Sequence, residues 1–202
     1  MQYPKTLLST LFIIGCVLSL SAKAPIEVDA VDFNKPGDDW AQMEIQLSCN
    51  ENTLPDAKNP DFVDDVTVTA YVTYASDDKP GEFSYYMSEV VIVSMERGEK
   101  YNVYFYLPGL IVDRDGLKDE PEYYFVELSV GDVKMPLEGG SAAMSRSITS
   151  PQALESMISN AKAADSDNKG TFMPYYLAPA EYLGRVSRLP TFRRYDYNPS
   201  SK

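Results

Sequence analysis

DDVTVTAYVTYA, running from Asp64 to Ala75, decides the fold class of this chain. Val66, Val68, Ala70, Val72 and Tyr74 alternate with Thr67, Thr69, Tyr71 and Thr73. Successive side chains of a strand point to opposite faces, so a period of two places the first set in a core and the second on the opposite face. The β-branched and aromatic content suits a pleated, half-buried surface.

The same pattern extends outward in both directions. PIEVDAVDF, Pro25 to Phe33, reads as a strand with Ile26, Val28 and Ala30 on one face, and Pro36-Gly37 marks the turn after it. Trp40 to Cys49 follows, with Ala41, Met43, Ile45, Leu47 and Cys49 inward and Gln42, Glu44, Gln46 and Ser48 outward. Residues 50–63 read as a polar loop. Tyr85 to Met95 carries VVIV at 90–93, a run that suits a strand covered on both faces. Lys100 to Leu107 turns Tyr101, Val103, Phe105 and Leu107 inward. Residues 110–121 read as an acidic loop, Glu122 to Val130 as a strand, and Gly131-Asp132 as a hairpin into Val133 to Leu137. About seven short strands separated by turn signals predict a mainly β protein, a sandwich or barrel.

The period changes after Gly139-Gly140. Ser150-Pro151 supplies an N-cap followed by proline at the first helical position, and Leu154, Met157, Ile158 and Ala161 recur at helical spacing. One amphipathic helix is predicted over 151–164, then a polar linker from Asp165 to Gly170. From Thr171 the chain is rich in Tyr, Pro and Arg without a clean period. The organisation expected is a signal peptide (1–22), a β-domain (23–138), a linker and helix (139–170), and a C-terminal extension (171–202) that packs on the body or on a partner.

Lys5 followed by an apolar run from Leu7 to Leu20 and small residues is the pattern of a secretory signal, cut after Ser21 or Ala22. The alternative is a lipoprotein box, Ile13-Ile14-Gly15-Cys16. Lipidation of Cys16 would tether the protein to a membrane, its one expected route there. Export places the protein in the periplasm, outer membrane or surface of a Gram-negative-type bacterium. Removing the signal leaves Cys49 as the lone cysteine, so stability comes from packing and not from a disulfide.

Charge is unevenly distributed. From Lys169 onward six Lys/Arg face two Asp/Glu, a balance of +4, whereas residues 23–168 hold eleven Lys/Arg against 28 Asp/Glu, a balance of −17. A body this acidic repels phosphate backbones, which argues against nucleic acid as a partner.

The chain has no histidine, which removes the commonest general base and the best transition-metal ligand together. No Gly-rich phosphate loop is present. A glycosidase built from two carboxylates stays formally open. Asp113-Arg-Asp-Gly116 starts like a calcium loop but lacks the third ligand before glycine; a solvated acidic turn is expected, with a structural calcium site as the alternative. No enzyme activity and no cofactor are expected. Tyr71, Tyr104 and Tyr106 fall on strand faces opposite the core. They are open to three roles: burial beneath the chain's own tail, a protein interface, or a sugar-stacking face. The tail interleaves Tyr175 and Tyr176 with Arg185, Arg188, Arg193 and Arg194, residue types that dominate protein–protein hot spots. Its positive charge suits docking on the acidic body, in the same molecule or in a neighbour.

MERGEKYNVYF, Met95 to Phe105, resembles the corner of a fibronectin type III or immunoglobulin-like domain: a large apolar residue, a turn containing Gly98, and Tyr101 six positions on. The resemblance implies that the tyrosine hydroxyl ties the corner to the backbone. DEPEYYF, Asp119 to Phe125, offers Tyr123 as a rival corner; Tyr101 is preferred because the apolar run before it supplies the preceding strand. The resemblance spans about residues 25–137, without the cysteine pair and core tryptophan of antibody domains. APIEVDAVDF, VTVTAYVTYA and YNVYFYLPG are together similar to exported immunoglobulin-like proteins of the type IV pilus-associated gene cluster of Akkermansia. The missing catalytic residue types, the sandwich pattern, the export signal and the Tyr/Arg-rich tail predict a non-enzymatic envelope or surface protein acting through protein contact or adhesion, and the resemblance adds the link to a pilus-like assembly. The alternative is a carbohydrate-binding module with a tyrosine stacking face.

Overall fold

A computed structural model of the chain describes residues 23–137 and 141–194. The segment read first becomes β3 (Phe62–Ala75), the middle strand of the larger of two antiparallel sheets. It pairs along its full length with β4 (Phe83–Glu96), from Phe62 opposite Glu96 to Ala75 opposite Phe83. On its other side lies β6 (Tyr123–Val130), followed by the two-residue β7 (Val133–Lys134). The second sheet holds β1 (Ile26–Asn34), β2 (Ala41–Cys49) and β5 (Lys100–Leu107). Two short strands from the C-terminal segment complete the sheets. β8 (Met173–Pro174) extends the smaller one beside β5, and β9 (Phe192–Arg193) extends the larger one beside β4.

The sheets face each other across one apolar layer. Met43, Ile45, Leu47 and Cys49 of β2 and Val103, Phe105 and Leu107 of β5 meet Val66, Val68, Ala70 and Val72 of β3 and Val90 and Ile92 of β4, all buried. Burying one such aliphatic or aromatic side chain contributes about 1.5–3 kcal/mol, so this layer is what holds the two sheets together. Cys49 belongs to it, and burial pushes its thiol up to about 11. The corner is tied as the resemblance implied: the Tyr101 hydroxyl accepts the Glu96 backbone N–H at 3.2 Å across the turn at Gly98. Tyr123 instead packs against Phe83, ring centroids 6.2 Å apart.

Several local readings are corrected. The register of β1 slips between Val28 and Ala30, so beyond that bulge Val31 and Phe33, not Ala30, pack against the core. β3 begins at Phe62, inside the stretch read as loop. Near its start Val63 and Val66 are both buried while Asp65 sits at φ 55°, so the alternation skips a beat. On β4 the second face is covered at Val91 but not at Val93, which is 39% exposed. The acidic loop contains a short helix, α1 (Gly109–Asp115), stopped by left-handed Gly116. The amphipathic helix, α2 (Pro151–Asn168), runs four residues past the predicted end because Asp165–Asn168 continue it. Only Val133–Lys134 of the last predicted strand pairs as one. Residues 1–22, read from the sequence as a signal and containing Cys16, residues 138–140 with Gly139-Gly140, and residues 195–202 lie outside the described residues.

Candidate functional site

Both outer faces of the sandwich are covered by the C-terminal third of the chain. Ser150 caps α2 by accepting the Ala153 N–H at 3.2 Å, with Pro151 in the first turn. Leu154, Met157, Ile158 and Ala161 then form the stripe that packs on Tyr71 and Phe125 of the larger sheet. Tyr71 is 1% exposed and stacks on Phe125 at 5.9 Å. Burial, reinforced by the Glu127 and Glu89 carboxylates, pushes its phenol up to about 12. Asn168, at the end of the helix, donates its side-chain amide to the Tyr85 carbonyl at 3.0 Å.

After a left-handed turn at Gly170 the chain becomes a strap over the smaller sheet. Phe172 drops into the core beside Phe105, 5.4 Å between centroids, and β8 forms next to it. Two 3₁₀ turns, Tyr175–Leu177 and Ala180–Tyr182, carry the strap across the sheet face. There Trp40 stacks on Tyr182 at 4.8 Å with only 13° between the planes. Gly184, at φ 60°, lets the strap pass the turn at Pro36, whose Cβ would lie 2.9 Å from an added Cβ.

The polar groups of this face are matched to the strap's main chain. The Tyr106 hydroxyl donates to the Leu183 carbonyl at 2.7 Å and accepts from the Gln42 amide at 2.8 Å, which also reaches Leu183 at 3.1 Å. The Tyr104 hydroxyl accepts the Ser187 N–H at 3.2 Å, and the Asn102 N–H donates to the Arg188 carbonyl at 3.0 Å. Unsatisfied buried polar atoms are costly, so such pairing fixes the path of the strap. Burial pushes the Tyr106 phenol up to about 12.

The strap ends on the other sheet. The Val93 N–H donates to the Thr191 carbonyl at 2.8 Å, β9 pairs with Val91 and Ile92, and Arg193 forms an ion pair with Asp65. Its entry and exit meet where Tyr175, Tyr176 and Phe192 pack at 5.7–6.2 Å, with the Arg194 guanidinium 5.2 Å from the centre of the Tyr176 ring.

The sequence-derived site residues thus divide into two groups. Tyr71, Tyr104 and Tyr106 lie at 1%, 1% and 0% exposure beneath α2 and the strap, so they present no open face on which a sugar could stack. Tyr175 and Tyr176 are half-buried in the strap closure, whereas Arg185, Arg188, Arg193 and Arg194 are exposed. The sequence reading missed Trp40, Gln42, Asn102 and Phe172. Gln42 and Asn102 carried no signal of burial, since Asn and Gln are mostly exposed residue types, whereas Trp40, a highly buried type on average, hinted at a covered face.

Two other features bear on function. The D-x-D-G segment lies at the end of α1 and the residue after it. There the Asp115 carboxylate accepts from the Tyr86 hydroxyl at 2.7 Å and from Arg114 at 2.6 and 2.7 Å, and Arg114 holds it below the usual carboxylate range. Among the described residues no group of three or more Asp, Glu, His or Cys is placed to hold a metal ion. On the side of the sandwich away from the strap, a cavity of about 260 Å³ opens between β1 and the β6–β7 edge. Ile26, Val28, Val126, Leu128 and Met135 line it, with Glu27 at its wall.

Two antiparallel sheets packed face to face and a tyrosine corner define an immunoglobulin-like β-sandwich. A protein from Akkermansia muciniphila, known from its crystal structure, shares the fold: the TM-score is 0.56, over 85% of this chain and 94% of that one, at 16% identity. No family model and no curated protein matches the chain.

Proposed function

We propose that this chain is an exported, non-enzymatic component of the bacterial cell envelope or surface that works through protein–protein contact, in a pilus-like assembly or in adhesion. The observation that carries the reading is the strap. It is pinned to both sheets and holds Arg185, Arg188, Arg193 and Arg194 exposed on an acidic sandwich. Arginines carried on a main chain that is already fixed pay only the ordering of their side chains on binding, and arginine is a residue type that dominates protein–protein hot spots. The absence of histidine supports a non-enzymatic role. The glycan reading is not carried forward, because its stacking tyrosines are occupied by the chain itself.

The test is fractionation of the native organism with an antibody to the protein, including a sheared-filament fraction. The expected result is recovery with surface or filament material, diminished by reversing charge at Arg185 and Arg188. Recovery solely as a soluble periplasmic monomer refutes the assembly reading. Mass analysis of the same sample separates a mature N-terminus at Ala22 or Lys23 from a lipidated Cys16.

A further inference from the structure

The strap seals one lateral mouth of the sandwich; the opposite mouth, between β1 and β6–β7, is the cavity of about 260 Å³. β1 is the terminal strand of its sheet among the described residues, so an edge that can pair borders a cavity lined by apolar side chains together with Glu27, Ser141 and the Glu127–Lys134 ion pair. Glu27 stands at that wall. Its Oε2 pairs with Lys23 at 2.7 Å, while its Oε1 is buried without a hydrogen-bond partner among the described residues. A buried acceptor lacking a donor is uncommon in a folded protein and marks a place where a donor belongs.

The closed side shows what such a mouth accepts. There an extended segment inserts one aromatic ring, Phe172, between the sheets and pairs its main chain with the edge strand. The open cavity exceeds the roughly 150 Å³ that suffices for a benzene ring in an apolar site. We propose that this mouth docks an extended, neutral-to-basic segment of another polypeptide. The segment places one large apolar side chain in the cavity and donates a main-chain N–H to Glu27 Oε1. The bulge after Val28 limits pairing to Ile26–Val28, so the segment engages over a few residues, by strand addition. The −17 balance of residues 23–168 selects against an acidic one. The proposal rests on the reading of the protein as one that acts by protein contact and assigns that contact a second surface, remote from the arginines.

The test is a titration of the ¹⁵N-labelled protein, at a concentration where sedimentation shows a monomer, with acetyl-Lys-Val-Phe-Val-Lys-amide. Saturable shifts are expected at residues 24–28, 125–128 and 134–137. A peptide with Ala for Phe should bind at least about tenfold more weakly, following the lost apolar burial, and one with Glu for both Lys should bind more weakly still. Glu27→Ala should weaken binding with the rest of the spectrum unchanged. Ala143→Leu, which fills the cavity, should abolish it. Absence of saturable shifts, shifts elsewhere, or equal binding of the Ala peptide overturns the proposal. A concentration-dependent dimer that moves the same resonances also overturns it, in favour of a second copy as occupant. If the peptide fails while the protein still fractionates with surface material, the envelope reading stands and this docking site falls.

Discussion

Phe172→Ala asks whether the strap belongs to the core or only lies on it. Phe172 is 3% exposed, its ring sits 5.4 Å from Phe105, and it belongs to the same apolar cluster as Val66 and Ile45. Truncating a buried phenylalanine costs about 3–5 kcal/mol, against a total of about 5–15 kcal/mol for a domain. For a domain of this length each kcal/mol moves the midpoint by about 2–4 °C, so a fall of about 6–20 °C is expected. Leu177→Ala, on the same strap but 51% exposed, should stay within about 0.5 kcal/mol. Urea unfolding is the assay. Trp40, the single tryptophan, is stacked under the strap on Tyr182 and reports strap release, while far-UV circular dichroism reports the sheets. In the wild type the two transitions should coincide. A loss below about 1 kcal/mol for Phe172→Ala, or a tryptophan transition that precedes the dichroism, would refute the strap as part of the core.

Other outcomes follow from the same geometry. Tyr101→Phe removes the hydroxyl that accepts the Glu96 N–H and should cost about 0.5–1.5 kcal/mol in urea unfolding, with the fold unchanged. Gly109→Ala places a Cβ 2.1 Å from the Asp38 carbonyl oxygen, a backbone contact that must yield. A loss of at least about 1–3 kcal/mol is expected by the same assay. Tyr71 and Tyr106 hold their protons in the folded state up to about 12, against 10 for a free phenol. Their contribution to stability is therefore fully present below pH 10 and is lost as the pH rises through about 12. Urea midpoints measured across that window, with phenolate absorbance recorded alongside, check both the sign and the range.

Much of this was legible where one physical cause acted alone. β2, β3 and β5 each have an apolar face of period two, and the core accepts those faces as the sequence orders them. Tyr101 and Ser150 were readable because a corner and a helix cap are local devices. The bulge after Val28 and the left-handed backbone at Asp65 escaped because such irregularities depend on what the neighbouring strand requires, and no pattern in the strand itself records them. The face opposite the core was read correctly as a face. Alternation, however, says nothing of whether a face is wet, and Tyr71, Tyr104 and Tyr106 were dry because distant segments lie on them. The strap itself has no period: many of its polar contacts run through main-chain groups, the carbonyls of Leu183, Arg188 and Thr191, which every residue type possesses.

The separation along the chain between the strap and what it touches also sets an order of events. Leu183 meets Gln42 across 141 positions. A chain that emerges N-terminus first, from a ribosome or through a membrane pore, presents β1 to β7 long before residues 171–194 arrive. Until then Trp40, Tyr104 and Tyr106 face water, and the β4 and β5 edges lack their last neighbours. Closure by the strap therefore follows the pairing of the strands it covers. A product truncated before Thr171 lacks Phe172 in its core and leaves Trp40, Tyr104, Tyr106 and two strand edges uncovered, a flank exposed to aggregation.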